Sequence, residues 1–249
     1  ELNDKVVLIT GAGLGFGRDL AEAFAAQGAI VAAIDLTPIN LDETVHRIRS
    51  SGGVAQAYVA DIASKLALQT VLNEIVDQYG RIDILIQTAG VDPSDQILEM
   101  DEWDWRRTID VNLTGAFFTL QTVGRVMREQ GGGVVVNIGS IAGRAQGLKD
   151  RAAYVASKTG LLGLTREAAR EFAAYNIRVN AVCPGVIETE MTKTLRQDEK
   201  MMNKWLEDIP LKRLGKTEDV VGLVLYLCSD SAAYLTGQAI NVDGGKVMS

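Results

Sequence analysis

A chain of 249 residues, 47% hydrophobic and 23% charged, is long enough to bury one substantial core and has the balance of an ordinary globular protein. A net charge of -7 works against polyanions, and no apolar run is long enough to span a bilayer, so neither nucleic acid nor membrane is an expected partner. The only histidine, His46, sits in the polar, helix-like stretch LDETVHRIRS, which leaves a Ser-His-Asp hydrolase or a His-based metal site with nothing to use.

The opening ELNDKVVLIT moves straight into a strand-like run, 5–10. Further apolar, β-branched runs follow at 29–35, 54–60, 82–90, 133–140, 177–185 and 238–245. Most are apolar on consecutive residues, the pattern of strands buried on both faces. Amphipathic stretches such as DLAEAFAAQG and KLALQTVLNEIVDQYG lie between them. This alternation predicts an α/β fold, a Rossmann-like doubly wound parallel sheet of about seven strands with helices on both faces. No linker or repeat interrupts 1–249, so one dinucleotide-binding and catalytic domain is expected. Residues 187–215 break the rhythm: they are charged, Met-rich and strand-poor, and they leave the carboxyl end of the sixth strand, where a substrate lid belongs. Cys183 and Cys228 read as reduced thiols of a cytoplasmic protein.

The first strand runs into Thr10-Gly11-Ala12-Gly13-Leu14-Gly15-Phe16-Gly17 and then a helix. Glycines allow a sharp turn and close approach to a pyrophosphate, and the helix start offers N–H groups to it. Asp35 ends the second strand, about 20 residues on, where a carboxylate accepts from ribose hydroxyls. A 2′-phosphate there meets a like charge. Leu36 and Thr37 supply no basic partner, Ala12 and Leu14 none in the turn, and the nearby Arg18 lies just inside the helix. The expected cofactor is therefore NAD rather than NADP.

Tyr154 and Lys158 stand four apart in the helical stretch AAYVASKTGLLGLTREAAREF, on one face. A nearby ammonium favours phenolate, so Tyr154 is expected to titrate below its usual 10 or so. Ser140 ends the preceding strand on the ligand side of the sheet.

With TGAGLGFG, Tyr154-x-x-x-Lys158, Ser140, Asn112 in DVNLTGAF, the run Pro184-Gly185-Val186-Ile187-Glu188-Thr189 and the terminal Val242-Asp243-Gly244-Gly245, the chain resembles the short-chain dehydrogenase/reductase family over essentially its whole length. The resemblance implies that Tyr154 exchanges the proton at the substrate oxygen, Ser140 polarises the carbonyl, Lys158 holds the nicotinamide ribose, and Asn112 holds a water that extends the proton relay. It implies a cofactor set of Gly11, Gly13, Gly15, Phe16, Gly17, Asp35, Leu36, Asp61, Ile62, Ala89, Gly90, Tyr154, Lys158, Pro184, Gly185, Ile187 and Thr189. It also implies a homotetramer built through helices at 101–130 and 152–175. One departure is Gln87-Thr88 before Ala89-Gly90, where the family usually has Asn-Asn.

The expected function is NAD-dependent hydride transfer on a secondary alcohol, polyol or sugar/ketone. A 3-oxoacyl thioester (acyl-carrier-protein or CoA) reductase is the alternative, and a non-catalytic NAD-binding protein comes third. Candidate pocket residues, by adjacency to the catalytic elements, are Asp92, Gln146, Leu148, Glu190 and Met191. No metal is expected.

Overall fold

The computed structural model describes residues 2–144, 147–190 and 192–248. Gln146 and Met191, two of the candidate pocket residues, lie outside them. Seven strands form one parallel sheet: β1 (Val6–Thr10), β2 (Ile30–Asp35), β3 (Val54–Val59), β4 (Ile84–Gln87), β5 (Gly133–Ile138), β6 (Ile177–Pro184) and β7 (Ala239–Val242). Their order is β3-β2-β1-β4-β5-β6-β7. Each falls inside an expected run. The central ones are apolar on consecutive residues because both faces are covered, and Val6 to Thr10 are all buried.

Helices α1 (Gly15–Ala26), α2 (Pro38–Ser50) and α8 (Thr217–Cys228) belong to one face. There Leu20, Phe24, Val220 and Val224 pack against Val7, Ile9 and Val31. Helices α3 (Lys65–Tyr79), α5 (Ala116–Gln130) and α6 (Ala152–Phe172) belong to the other, with Leu68, Leu72, Val123 and Ala168 against Leu8, Leu85 and Val135. Phe24 is fully buried, so truncation to alanine there would cost about 3–5 kcal/mol.

The strand order turns at β1, where the chain returns from the β3 edge to lay β4 beside β1. A crevice opens at that reversal, outside the carboxyl ends of β1 and β4, and ligands of such sheets bind there. A short helix, α4 (Glu102–Ile109), continues through a π-helical turn, Asp110–Gly115, into α5. The segment 187–215 holds a short 3-10 turn, Leu195–Gln197, and α7 (Glu199–Asp208). An Ile187–Gly215 bridge closes its base. No helix among the described residues is long and apolar enough to cross a membrane.

Candidate active site

The glycine turn fills the crevice with backbone. Gly11 has φ +72°, and a Cβ there would stand 2.7 Å from the backbone of Ala89, which follows β4. A Cβ on Gly17 would lie 2.0 Å from the Gly11 carbonyl oxygen, so only glycine lets α1 start this close to the turn. Leu14, the N-cap of α1, offers no side-chain acceptor, which leaves the first-turn N–H groups for an anion. Thr88 explains half of the Gln87-Thr88 departure: its Oγ1 donates to the Thr10 carbonyl at 2.6 Å and ties β4 to the turn. Gln87 Nε2 donates to Asn137 Oδ1 at 2.9 Å, and Asn137 Nδ2 donates to Thr165 Oγ1 at 2.8 Å. That buried chain couples the sheet to α6.

Asp35 accepts from Gly13 N at 2.8 Å and from Thr37 N at 2.9 Å. It therefore serves the turn structurally. Arg18 is held through Nε and Nη2: Nε donates to Thr44 Oγ1, and Nη2 reaches Gly13 O, Asn40 O and Glu43. These contacts hold α2 against the turn. Leu36 is exposed and Ile62 buried. Asp61 is paired with Arg107 at 2.8 Å and accepts from Ala63 N. A pyrophosphate and a ribose fit this cradle: glycine backbone where a Cβ would collide, free helix N–H groups and one carboxylate. On the far side, Gly185 N donates to Val242 O at 2.9 Å. Ile187 is buried, and Thr189 N donates to Thr192 Oγ1.

The helix α6 carries Tyr154 and Lys158 one turn apart, with Lys158 Nζ 5.7 Å from the Tyr154 ring centre. Lys158 is buried and donates to the Ile138 carbonyl at 2.8 Å, at the end of β5. A Cβ on Gly90 would lie 3.7 Å from Lys158 Nζ, so the end of β4 and α6 meet over the crevice. Ser140 accepts from Ala142 N at 3.1 Å and interacts with the Tyr154 phenol. Asn112 lies in the π-turn. Its Oδ1 accepts from Val91 N at 2.8 Å, and its Nδ2 donates to Val91 O and to Ser157 Oγ. Both amide protons are thus engaged, and the side chain can offer a water only a lone pair of Oδ1.

The expected low pKa of Tyr154 is not what the protein's own groups produce. Burial pushes the phenol up to about 12; the Ser140 hydroxyl and Arg151 pull it down, and Asp92 adds to the rise. Lys158 is itself buried, which pushes its ammonium down to about 8. Desolvation outweighs the charge–charge attraction the spacing suggests.

Among the pocket candidates, Asp92 joins the cluster. Its Oδ2 lies 3.2 Å from Arg151 Nε, with both side chains mostly buried, at 13% and 16% exposure. Burial raises its carboxyl, opposed by Arg151 and Lys158. Leu148 lines a hollow of about 500 Å³ together with Arg151 and Leu98. Glu190 instead pairs with Lys193 at 2.8 Å with 63% of its side chain exposed, so no described contact joins it to the cluster. Arg151 is the residue that sequence reasoning missed. Its signal was its place three residues before Tyr154, at the N-cap of α6. A larger hollow of about 650 Å³ opens at the amino ends of the strands, lined by Lys5, Asp83 and Arg178, remote from Tyr154. No group of three or more His, Cys, Asp or Glu side chains among the described residues could hold a metal ion.

The family model described as enoyl-(acyl carrier protein) reductase matches residues 11–246. The chain is 42% identical to a 3-oxoacyl-(acyl-carrier-protein) reductase of Thermotoga maritima over 248 residues, covering 100% of both. A candidate short-chain alcohol dehydrogenase of Sinorhizobium meliloti 1021 superposes with TM-score 0.94 at 40% identity, covering 99% of this chain and 97% of that one. A candidate NAD(P)-dependent gluconate 5-dehydrogenase of Beutenbergia cavernae, solved with NADP at low occupancy, gives TM-score 0.94 at 36% identity, covering 99% and 98%.

Proposed function

Since the chain belongs to the short-chain dehydrogenase/reductase family, whose NAD(P)-dependent members act on CH–OH and keto groups, we propose that it reduces the ketone of a 3-oxoacyl thioester. The observation that carries this substrate is the full-length 42% identity to a reductase of that class. It reverses the order expected from the sequence, which put secondary alcohols, polyols and sugars first. That reading stays second because the buried, polar Asp92–Arg151 pair beside Tyr154 suits a hydroxylated substrate better than an acyl chain.

The bound nicotinamide cofactor supplies the hydride. The Ser140 hydroxyl donates to the ketone oxygen, and the Tyr154 phenol, held protonated by burial, transfers its proton to the same oxygen. The Lys158 ammonium stabilises the phenolate left behind, and solvent restores the proton afterwards. Asn112 fixes Val91, and with it the backbone after Gly90. Gly11 to Gly17 cradle the pyrophosphate, Asp35 takes the adenosine ribose hydroxyls, and Asp61 with Ile62 borders the adenine. Gly90, Pro184, Gly185, Ile187 and Thr189 border the nicotinamide. Asp35 and the engagement of Arg18 support NAD over NADP. Residues 187–215 serve as the lid, and the working molecule is a homotetramer.

The test is oxidation of NADH and NADPH with the acetoacetyl thioester of N-acetylcysteamine beside a panel of simple and hydroxylated ketones. Thioester turnover well above every ketone supports the proposal. Turnover of ketones alone would move the assignment to the second reading.

A further inference from the structure

Lys158 is a buried ammonium whose hydrogen bond goes to a neutral group, the Ile138 carbonyl, and among the described residues it forms no ion pair. A buried charge left alone gives up its charged form, so an ammonium kept for catalysis needs a negative charge nearby. The chain places one at the same corner. Lys158 Nζ faces Gly90, 3.7 Å from where a Cβ would stand, and Asp92 follows two residues on. The loop that carries Asp92 is held at both ends. Asn112 binds both backbone groups of Val91, and Asp95 N donates to the Asp150 carbonyl at 2.9 Å, beside the Asp95–Arg151 bridge. Arg151 Nε then pins Asp92 Oδ2 at 3.2 Å. Asp92 Oδ1 is buried with no hydrogen-bond partner. A carboxylate oxygen with no donor of its own, away from water, acts strongly on the cations around it.

We infer that Asp92, held by Arg151, is a positioning residue for the proton transfer: it is the counter-ion that keeps the Lys158 ammonium charged beside Tyr154. The charges form a chain. Arg151 favours the ionised Asp92 carboxyl against its burial, and Asp92 favours the Lys158 ammonium against its own. The ammonium in turn stabilises the phenolate that Tyr154 leaves. The other titratable group acting on Lys158 is Cys183 of β6, which burial pushes up, so it stays a neutral thiol at neutral pH. Arg151 acts on Asp92 and on Tyr154 rather than on Lys158. Ser140 and Asn112 carry no charge. The inference rests on carbonyl reduction at Tyr154 and holds for either substrate reading, because Asp92 acts through Lys158 and needs no contact with substrate.

Asp92→Asn keeps the shape of the side chain and removes its charge. The measurement is the Lys158 titration, followed by NMR of protein labelled biosynthetically with carbon-13 at lysine Cε, the signal being identified by its loss in Lys158→Arg. Reductive kcat/KM with NADH and the acetoacetyl thioester of N-acetylcysteamine is read over the same pH series. The wild-type midpoint should stand at about 8. That of Asp92→Asn should stand about one pH unit lower. The alkaline descent of kcat/KM should move with it, a loss of roughly fivefold at about pH 8 that fades toward about pH 6. Should Arg151, stripped of its partner, keep Asp92→Asn from folding, Asp92→Asn with Arg151→Gln removes both charges, and the midpoint should fall in the same direction. An unmoved midpoint, a midpoint that moves while the descent stays, or a loss by the same factor at every pH would overturn the inference. If no carbonyl is reduced, the proposed function fails by itself, and the NMR midpoint still accepts or rejects the counter-ion.

Discussion

Lys158 is the residue on which the chemistry pivots, because its charge is held near a transition. Burial pushes it down to about 8 while the Tyr154 phenol stays protonated up to about 12. The proton donor is thus present throughout the neutral range, and what changes is the ammonium that stabilises the phenolate. Reductive kcat/KM, which reports the free enzyme, should stay level below pH 8 and fall as pH rises through about 8. Lys158→Arg, if active, should remove that descent. A profile flat to pH 10 or so would show that Lys158 does not govern the step. Tyr154→Phe should lower kcat on the order of 10²–10⁴-fold with cofactor binding little changed. A second prediction concerns Asp35, which holds Gly13 N and Thr37 N. Asp35→Ala with Leu36→Arg should move preference toward NADP, since a repulsive charge leaves and a phosphate partner arrives. It should also lower stability by about 1–3 kcal/mol, because two backbone donors lose their acceptor. Steady-state kinetics with both cofactors and urea melts read the two effects separately; a wild type that prefers NADPH would reject the assignment.

At the scale of elements, the strands were legible because a parallel sheet covered on both faces demands consecutive apolar residues, and runs such as KVVLIT and IRVNAVCPG carry that signature. The Tyr154–Lys158 face was legible from helical spacing. The π-turn at Asp110–Gly115 was not, since no pattern of residue types distinguishes it from the helix around it. Nor was the Asp92–Arg151 pair, whose members lie 59 positions apart and meet only through tertiary packing. Spacing reports Lys158 as the neighbour of Tyr154 but not the burial of both groups, which pushes the phenol up and the ammonium down. The proposed lid has its own signature: Glu188 N donates to Gly215 O and Gly215 N to Val186 O, while α7 contains no buried residue. Hydrogen exchange should therefore find the Glu188 and Gly215 amides protected at all times, and 199–208 gaining protection only with cofactor and substrate. Full protection of α7 without ligand would make it a fixed insertion. At the start of α8, the Asp219 carboxylate accepts from Lys216 N at 2.8 Å and from Arg213 at 2.6 Å. These contacts hold it well below the usual carboxylate range. Asp219→Ala should cost about 0.5–2 kcal/mol at pH 7 by urea denaturation. A depressed carboxyl contributes fully above its unfolded value of about 3.9, so the gap between wild type and variant should shrink as pH falls below that.

For the whole molecule the question is how many copies work together. The helical run α4–α5 leaves three large aromatic side chains in water: Trp103 at 68% exposure, Trp105 at 42% and Phe117 at 42%. Single exposed apolar residues need no explanation, but three aromatics on one segment are the side chains on which the proposed tetramer can be tested. The segment lies within the 101–130 region through which the family resemblance implies a tetramer. Covering each ring would contribute about 1.5–3 kcal/mol at most, and a symmetric interface uses each one twice. Sedimentation of the wild type should therefore give a mass of four copies. Trp105→Glu combined with Phe117→Glu puts two charges on the exposed side of that segment, so circular dichroism should keep its helical signal while the mass falls. A wild type that sediments as one copy, or a double variant whose mass is unchanged, would show that these aromatics face solvent in the working protein and that assembly, if any, uses another surface.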